Sequence, residues 1–417
     1  MTETDKARVV IVGGGLVGAS LACALTAAGI PVTLVERHPP RAASQPSYDD
    51  RTLALNHCSC RILDGLGLWP DLAPDATAIR EIHVREPGRP GRVTLRAAES
   101  GVSAFGHVVE ARTFGAVVMS RLIRDPLVEL LCPATVVGIE AGENATRLEI
   151  DHEGMKRSLH ASLVVAADGA DSAMRDMLGI GAHCHDYGQS ALICNVTPEQ
   201  PHQGRAYEWL TATGPFAILP HVGGRCGLVW SLPSDDAPAL MACSDEEFIE
   251  RAQRRFGDAL GRFRRIGRRS SYALRLVRAE QDVTGRVVFI GNAAHAIHPA
   301  GAQGFNLGLR DVAVLAQMLA EAGFEDGAIP ALLTRYSAAR AKDHDETIAW
   351  THGLVQLFAS DAVPAGWLRS GGLLAHALSP ALRRRLASRA MGYRDETPRL
   401  ALGQDLAARR EWSRNDA

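Results

Sequence analysis

Val9-Val10-Ile11-Val12-Gly13-Gly14-Gly15-Leu16-Val17-Gly18 is the stretch that decides the fold. An apolar run follows it to Ala27-Ala28-Gly29, then Ile30-Pro31, a second β-branched run Val32-Thr33-Leu34-Val35, and Glu36. The spacing predicts a strand, a Gly13-x-Gly15-x-x-Gly18 turn, a helix with Val17, Leu21, Leu25 and Ala28 on one face, a stop at Gly29 and a second strand. Each glycine has a physical task in such a unit. Gly13 makes the tight turn, Gly15 lets a pyrophosphate approach the backbone, and Gly18 lets helix and strand pack closely. The helix N-terminus offers N–H groups and partial positive charge to phosphates. Glu36, at the tip of the second strand, is placed to accept hydrogen bonds from a ribose diol.

The absence of charge from Val9 to Val35 also suits a membrane span. Three successive glycines and Gly29-Ile30-Pro31 would break that helix twice, and two buried strands around one helix account for the same apolarity. A signal peptide fits no better, because Met1 to Arg8 mixes acids with bases and Glu36-Arg37 replaces a small-residue cleavage site. The expected location is cytoplasmic.

The 417 residues have room for two folded units, and 46% hydrophobic with 22% charged residues is an ordinary globular composition. A formal charge of −2 argues against general nucleic-acid binding. The eight cysteines form no Cys-x-x-Cys pair, which points to reduced, mostly buried thiols. His183-Cys184-His185 has no second ligand cluster, so no metal is expected.

Along the chain, a polar loop runs from Arg37 to Pro46, and Thr52 to Leu66 reads as a helix. Ile82 to Arg85 and Arg92 to Leu95 read as a β-hairpin, and Thr113 to Arg124 as an apolar helix. A buried strand, Ser162 to Ala166, runs into the turn Asp168-Gly169. From His183 to Val283, short alternating stretches between Pro and Gly turns predict an antiparallel sheet, crossed by a helix from Asp245 to Phe263. Val287 to Ile290 is another buried strand, ending at Gly291-Asn292-Ala293-Ala294-His295. Gly301-Ala302-Gln303-Gly304-Phe305-Asn306 then opens a helix, and residues 330–392 are helical in pattern. The expected division is 1–182 and 284–345 as two parts of one cofactor unit, 183–283 as an inserted sheet domain, and 346–417 as a helical C-terminal segment.

Three glycine-bearing turns after buried strands suit a cofactor with a long pyrophosphate bridge and a second ring system. Gly13-x-Gly15-x-x-Gly18, Asp168-Gly169, and Gly291 to His295 with Pro299-x-Gly301 resemble the single-component FAD-dependent aromatic hydroxylases. Tyr48-Asp49-Asp50-Arg51-Thr52-Leu53-Ala54-Leu55, Asp186-Tyr187-Gly188-Gln189 and Gly301 to Asp311 are similar to the ubiquinone-biosynthesis branch. Gly106 to Arg112 leans toward its 2-polyprenyl-6-methoxyphenol hydroxylases. The likeness covers nearly the whole chain. It implies an α/β fold with a Rossmann-type FAD domain of the p-hydroxybenzoate hydroxylase kind, an inserted antiparallel sheet for substrate, and a helical C-terminus.

Carried over by position, the resemblance sets Gly13, Gly15 and Gly18 at the FAD pyrophosphate and Glu36 on the adenosine ribose. It runs Arg37, Arg51 and Arg112 along the cofactor and sets Val136 near the adenine. Asp168 and Gly169 would touch FAD and a passing NAD(P)H. Gly291 and Asn292 would meet the ribitol and pyrophosphate, while Pro299, Gly301, Gly304, Phe305 and Asn306 would border the isoalloxazine. The wider class usually has aspartate where Asn292 stands; Asn keeps the acceptor and loses the charge. The implied reaction is NAD(P)H reduction of FAD, addition of O2 to give a flavin hydroperoxide, and oxygen transfer to a polyprenyl phenol. The residues leave the base open among His221, His298, Tyr187 and Tyr207. A substrate with a polyprenyl tail further implies peripheral contact with a membrane and with other ubiquinone-biosynthesis proteins. Leu378, Leu382, Leu386 and Met391 set against Arg383, Arg384, Arg385 and Arg389 mark a terminal helix that either packs on the core or meets anionic lipid. A different ring position or phenol, a reductase, and a non-catalytic FAD-binding subunit are the competing functions; no Trp-x-Trp-x-Ile-Pro stretch supports a halogenase.

Overall fold

The computed structural model describes residues 6–39, 51–322, 328–359, 363–394 and 397–406. Tyr48, Asp49, Asp50 and most of the Arg37 to Pro46 loop lie outside the described residues. Val9 to Val12 sit in the strand Lys6–Val12, which pairs in parallel with Val32–Val35 on one side and Met155–Ala166 on the other. Val287–Phe289 extends the sheet beyond Met155–Ala166, and Val128–Leu131 extends it beyond Val32–Val35, both in parallel. Such a sheet needs apolar cover on both faces. On one face, Leu21 and Leu25 of the helix Leu16–Ala27 and Leu309 and Leu315 of the helix Gly304–Ala322 are fully buried. On the other face, Val10, Val164 and Phe289 pack with Leu148, Ile150 and Met174.

A second, nine-stranded sheet is built mainly from the long strand Ala182–Pro198 and its antiparallel neighbours Cys226–Pro233 and Ser270–Ala279. Trp209, Phe216, Trp230, Phe248 and Phe256 form its core, with Phe248 and Phe256 supplied by the helix Asp245–Phe256. That helix is shorter than its sequence pattern suggests. Gly257 at φ +80° ends it, and Phe263 opens a strand, Phe263–Ile266, on the edge of the sheet. The hairpin Glu81–Arg85 and Arg92–Arg96 joins this sheet too, because Glu81–Arg85 pairs in parallel with Arg205–Trp209. An element early in the chain thus completes the second sheet.

Thr52 to Leu66 is not one helix. Thr52–Asn56 is a strand antiparallel to Gly106–Glu110, and the helix His57–Gly65 starts only after it. Asn56 is the physical divider: its side chain accepts the Ser59 N–H at 2.9 Å and caps the helix. Beyond Gly304–Ala322 come the helices Ala328–Ala359, Val363–Leu378 and Pro380–Ala390. The leucine seam read along the last helices does not pack inward as a unit. Leu378 is 80% exposed and Leu382 36%, while Ala387 is the buried contact of the terminal helix. Among the described residues no helix is long and apolar enough to cross a membrane.

Candidate functional site

The turn after the first strand has the geometry its glycines require. Gly13 adopts φ +103°, and a Cβ there would lie 2.5 Å from the Ala167 carbonyl oxygen. A Cβ on Gly18 would lie 2.0 Å from the Gly13 oxygen, so that position admits no side chain without moving helix from strand. Gly15 is the extended residue at the helix N-cap and lines a cavity of about 1150 Å³. Glu36 borders the same end of the cavity. Its carboxylate accepts the N–H groups of Gly14 at 2.6 Å and His38 at 2.7 Å, which fixes it beside the glycine turn. A carboxylate has about four lone-pair sites, so acceptor capacity remains for a diol.

Two further turns face this cavity. Asp168 Oδ1 accepts from Ser172 Oγ at 2.6 Å and Oδ2 from the Met174 N–H at 3.1 Å, holding the short helix Ala173–Met177. Buried Arg175 donates to the carbonyls of Ala170 and Ala293, the latter at 3.0 Å, and so ties the Asp168-Gly169 turn to the Gly291-Asn292 turn. Nothing in the linear pattern singles Arg175 out. Asn292 is exposed to the cavity, whereas Gly291 is buried at φ +57° with its N–H on Asp311 Oδ2 at 3.2 Å.

Asp311 centres a cluster the sequence reading did not assemble. Its oxygens take His295 Nε2 at 2.6 Å, His344 Nε2 at 2.8 Å and Arg340 Nε at 2.8 Å, while Arg310 and Arg340 hold Asp343 at 2.7 and 2.8 Å. Burial alone would raise the Asp311 pKa; His295, His344 and Arg340 outweigh it and hold the carboxyl well below the usual range. His295, Asp311 and His344 gather closely enough to suggest a metal. The Arg340 guanidinium already occupies the carboxylate, so this is an ion-pair core fastening two helices to the Gly291 turn. His183, Cys184 and His185 sit exposed on the strand Ala182–Pro198.

Of the residues expected along a cofactor, Gly13, Gly15, Glu36, Arg37, Arg51, Val136, Asp168, Gly169, Asn292, Pro299, Gly301, Gly304, Phe305 and Asn306 line the one cavity. Gly18 and Gly291 shape it from behind. Arg112 lies outside it: it pairs with Glu110 at 2.8 Å and borders an adjacent chamber of about 290 Å³ with Arg51, Arg225, Arg265 and Arg268. Of the four candidate bases only Tyr207 contributes to the lining of the main cavity, while its ring packs on His83 and Phe256 at centroid distances of 5.1 and 5.2 Å. Tyr187 turns to His352 Nδ1 at 3.0 Å, His298 to Gln189 at 3.2 Å, and His221 to Glu110 at 3.1 Å. Burial lowers the pKa of His298 to about 4 and raises that of Tyr187 to about 12. The acid on the wall that the sequence reading missed is Glu208, whose Oε1 accepts the Gly301 N–H at 3.1 Å.

From the glycine turns the cavity continues between the two sheets. Ile82, Val84, Leu95, Leu219, Phe358 and Leu373 wall this deeper part, and the C-terminal helices close its far end. A polar end built of glycine turns and a helix N-terminus, opening into an apolar chamber, suits a long dinucleotide with its second ring system at the chamber's edge.

A family model described as FAD binding domain matches residues 6–351. The chain is 40% identical to a ubiquinone hydroxylase, UbiL, of Rhodospirillum rubrum, over 97% of this chain and 95% of that protein. It is 30% identical to the 3-demethoxyubiquinol 3-hydroxylase of Escherichia coli, over 92% of this chain and 98% of that one. The p-nitrophenol 4-monooxygenase PnpA of Pseudomonas putida shares the fold, with a TM-score of 0.78 at 21% identity over 94% of this chain and all of that one. With these glycine turns arrayed along one cavity and likeness along nearly its whole length, the chain belongs to the FAD-binding family of flavoprotein monooxygenases, among its ubiquinone-biosynthesis hydroxylases.

Proposed function

We propose that this protein hydroxylates the ring of a polyprenyl phenol in ubiquinone biosynthesis, using FAD, NAD(P)H and O2. The observation that carries this reading is the continuity of one cavity from the glycine turns to an apolar chamber walled by Ile82, Val84, Leu95, Leu219, Phe358 and Leu373. Gly13, Gly15, Asp168 and Asn292 would hold the bridge and ribitol of FAD, Glu36 the ribose, and Pro299 to Asn306 the ring system. FAD, when bound and reduced, supplies activated dioxygen to the chamber. The apolar walls exclude water from that oxygen chemistry and give an isoprenoid tail a surface to bury against. The arginine-lined chamber beside the cavity, sharing Arg51, Ile193 and Tyr272 with it, suits the phosphates of a visiting nicotinamide cofactor.

The test is oxygen consumption by the FAD-loaded protein with NADH or NADPH, with and without a prenylated phenol, and mass spectrometry of the product. A product heavier by one oxygen, formed only with the phenol, is expected. Mass spectrometry of the quinone intermediates that accumulate on deletion of the gene identifies the ring position. An unchanged quinone pool together with no phenol-dependent oxygen uptake would sink the reading.

A further inference from the structure

Glu208 lies on the strand Arg205–Trp209, between Val84 of one neighbouring strand and Ala217 of the other, and both of these line the main cavity. The residues on either side of it, Tyr207 and Trp209, pack their rings against Phe256 at centroid distances of 5.2 and 5.6 Å, in the core beneath the sheet. Alternation along the strand therefore turns Glu208, with Ala206 and Leu210, toward the cavity. There its Oε1 accepts the N–H of Gly301, in the loop that opens the helix Gly304–Ala322.

The other acids on the cavity wall have fuller sets of partners. Glu36 holds two backbone N–H groups, Asp168 holds Ser172 and Met174, and Asp171 is paired with Arg275 at 2.9 Å. Among the described residues, Glu208 has one N–H partner and no cation, and its second oxygen has no protein partner. Glu208 is half-buried in the wall, so its sparsely partnered carboxyl group is open to the cavity. Burial pushes its pKa upward, and the Gly301 N–H only partly opposes that. A raised carboxyl pKa brings the group closer to the working range of a general base near neutral pH.

We propose that Glu208 is a catalytic residue that accepts a hydrogen bond from the substrate's phenol hydroxyl and takes its proton as the ring is hydroxylated. The assignment rests on the hydroxylase reading above. Gly301 anchors one carboxylate oxygen, and the second faces the chamber for the phenol. The hydroxyl proton moves to Glu208 and its bonding pair stays on the phenol oxygen, which feeds electron density into the ring. The ring carbon forms its new C–O bond to one oxygen atom of O2 as the O–O bond breaks, with NAD(P)H as reductant through FAD. The other oxygen leaves as water, taking up the proton that the ring carbon releases. That carbon then loses its hydrogen as a proton, restoring aromaticity, and Glu208 returns its proton to the phenol oxygen. Glu208 ends as it began.

The test uses the FAD-loaded full chain and a phenol with a geranyl tail. FAD content is read from visible absorbance, hydroxylation is followed against pH, and ionisation of the bound phenol is read from its ultraviolet difference spectrum without reductant. In the wild type, a carboxylate against the hydroxyl should make the bound phenol ionise at higher pH than in water. Glu208→Gln should retain FAD and phenol binding, lower kcat by about 10²–10³-fold, and lose the acid limb of the rate profile. It should also increase the bound phenol's acid dissociation constant at least tenfold, since a negative neighbour is replaced by an N–H donor. Glu208→Asp should restore the acid limb and part of the rate.

A rate within about threefold of wild type in Glu208→Gln, with the acid limb intact, overturns the assignment. If that variant sheds FAD, the wild-type spectrum decides: a bound phenol that ionises at or below its pH in water overturns it. If the wild type shows the raised ionisation but never hydroxylates, the phenol contact stands and the hydroxylase reading falls.

Discussion

Asn306 Oδ1 accepts the backbone N–H of Asn56 at 2.9 Å, while its Nδ2 donates to the Ala54 carbonyl at 2.8 Å. One buried amide therefore fastens the first turn of the helix Gly304–Ala322 to a strand 250 residues earlier in the chain. Nδ2 also reaches the Ala302 carbonyl at 2.6 Å, bracing the glycine loop. Asn306→Ala would strand these backbone groups away from water, at about 1–3 kcal/mol. The expected result is a lower unfolding midpoint in the FAD-free protein and weaker FAD retention. Asn306→Asp keeps the acceptor for Asn56 and loses both donations, so it should recover only part of the loss. Equal midpoints for all three would remove Asn306 from this role.

Gly15 and Asn292 test the two proposed ends of the cofactor bridge. Gly15→Val places a branched side chain at the N-cap and in the cavity, and FAD affinity should fall by at least an order of magnitude with the fold retained. Asn292 projects into the cavity from the tip of its turn. Asn292→Asp should bind FAD at least as well as wild type, and Asn292→Leu worse by about 0.5–1.5 kcal/mol, the net worth of one hydrogen bond. Flavin fluorescence titration measures both; full yellow colour at normal affinity in Gly15→Val would refute the pyrophosphate assignment.

What the chain disclosed in advance follows from the range of the interactions. Gly13 and Gly18 could be read because their constraints are local: a left-handed turn and a helix pressed on its own strand. Thr52 to Leu66 misled because Leu53, Leu55, Cys58, Ile62 and Leu63 imitate a helical stripe; the change from strand to helix turns on the cap made by Asn56. The parallel pairing of Glu81–Arg85 with Arg205–Trp209 joins distant segments, and no local signal encodes it. Glu208 was invisible for a related reason. A polar residue between Tyr207 and Trp209 is what a solvent-facing strand position looks like, and only tertiary structure turns that face into a cavity wall.

The ion-pair core makes stability depend on pH in two windows. Against burial, Arg310 and Arg340 hold the Asp343 pKa below its ordinary value, as His295, His344 and Arg340 do for Asp311. Depressed carboxyl pKa values contribute stability above the unfolded value of about 3.9, lost as the pH falls through the lower folded values. His344 has the opposite sign. Burial pushes its pKa down, but Asp311 and Asp282 outweigh burial and raise it, so its contribution is complete below about 6.5 and is lost as the pH rises through the folded value. His344→Gln should lower stability at pH 6 by about 3–5 kcal/mol, the cost of breaking a buried pair. It should also flatten the decline above neutrality. Urea midpoints between pH 6 and 9 check this; a parallel downward shift with the same slope would assign the decline to another group.

The helix Val363–Leu378 carries the last prediction. Trp367, Leu374 and Leu378 are 74%, 40% and 80% exposed, at spacings of seven and four that place them along one face. Leu373 and His376 of the same helix line the cavity, so the exposed apolar strip lies outside the far wall of the proposed phenol chamber. Arg384 and Arg385 are exposed on the next helix, whereas Arg383 is tied to the Ala377 carbonyl and Arg389 lies 5.8 Å over Trp350. An apolar strip beside basic residues matches an anionic bilayer surface, where each basic residue adds about 1 kcal/mol at low salt. Trp367→Ser with Leu378→Ser should sharply reduce co-sedimentation with phosphatidylglycerol vesicles at every salt concentration, because it removes apolar contact. Arg384→Glu with Arg385→Glu should reduce it at low salt and have little effect at high salt, where screening has already removed that attraction. FAD content should stay constant in both pairs, since neither touches the glycine turns. Sedimentation equal to wild type in both pairs would leave this strip without a membrane role.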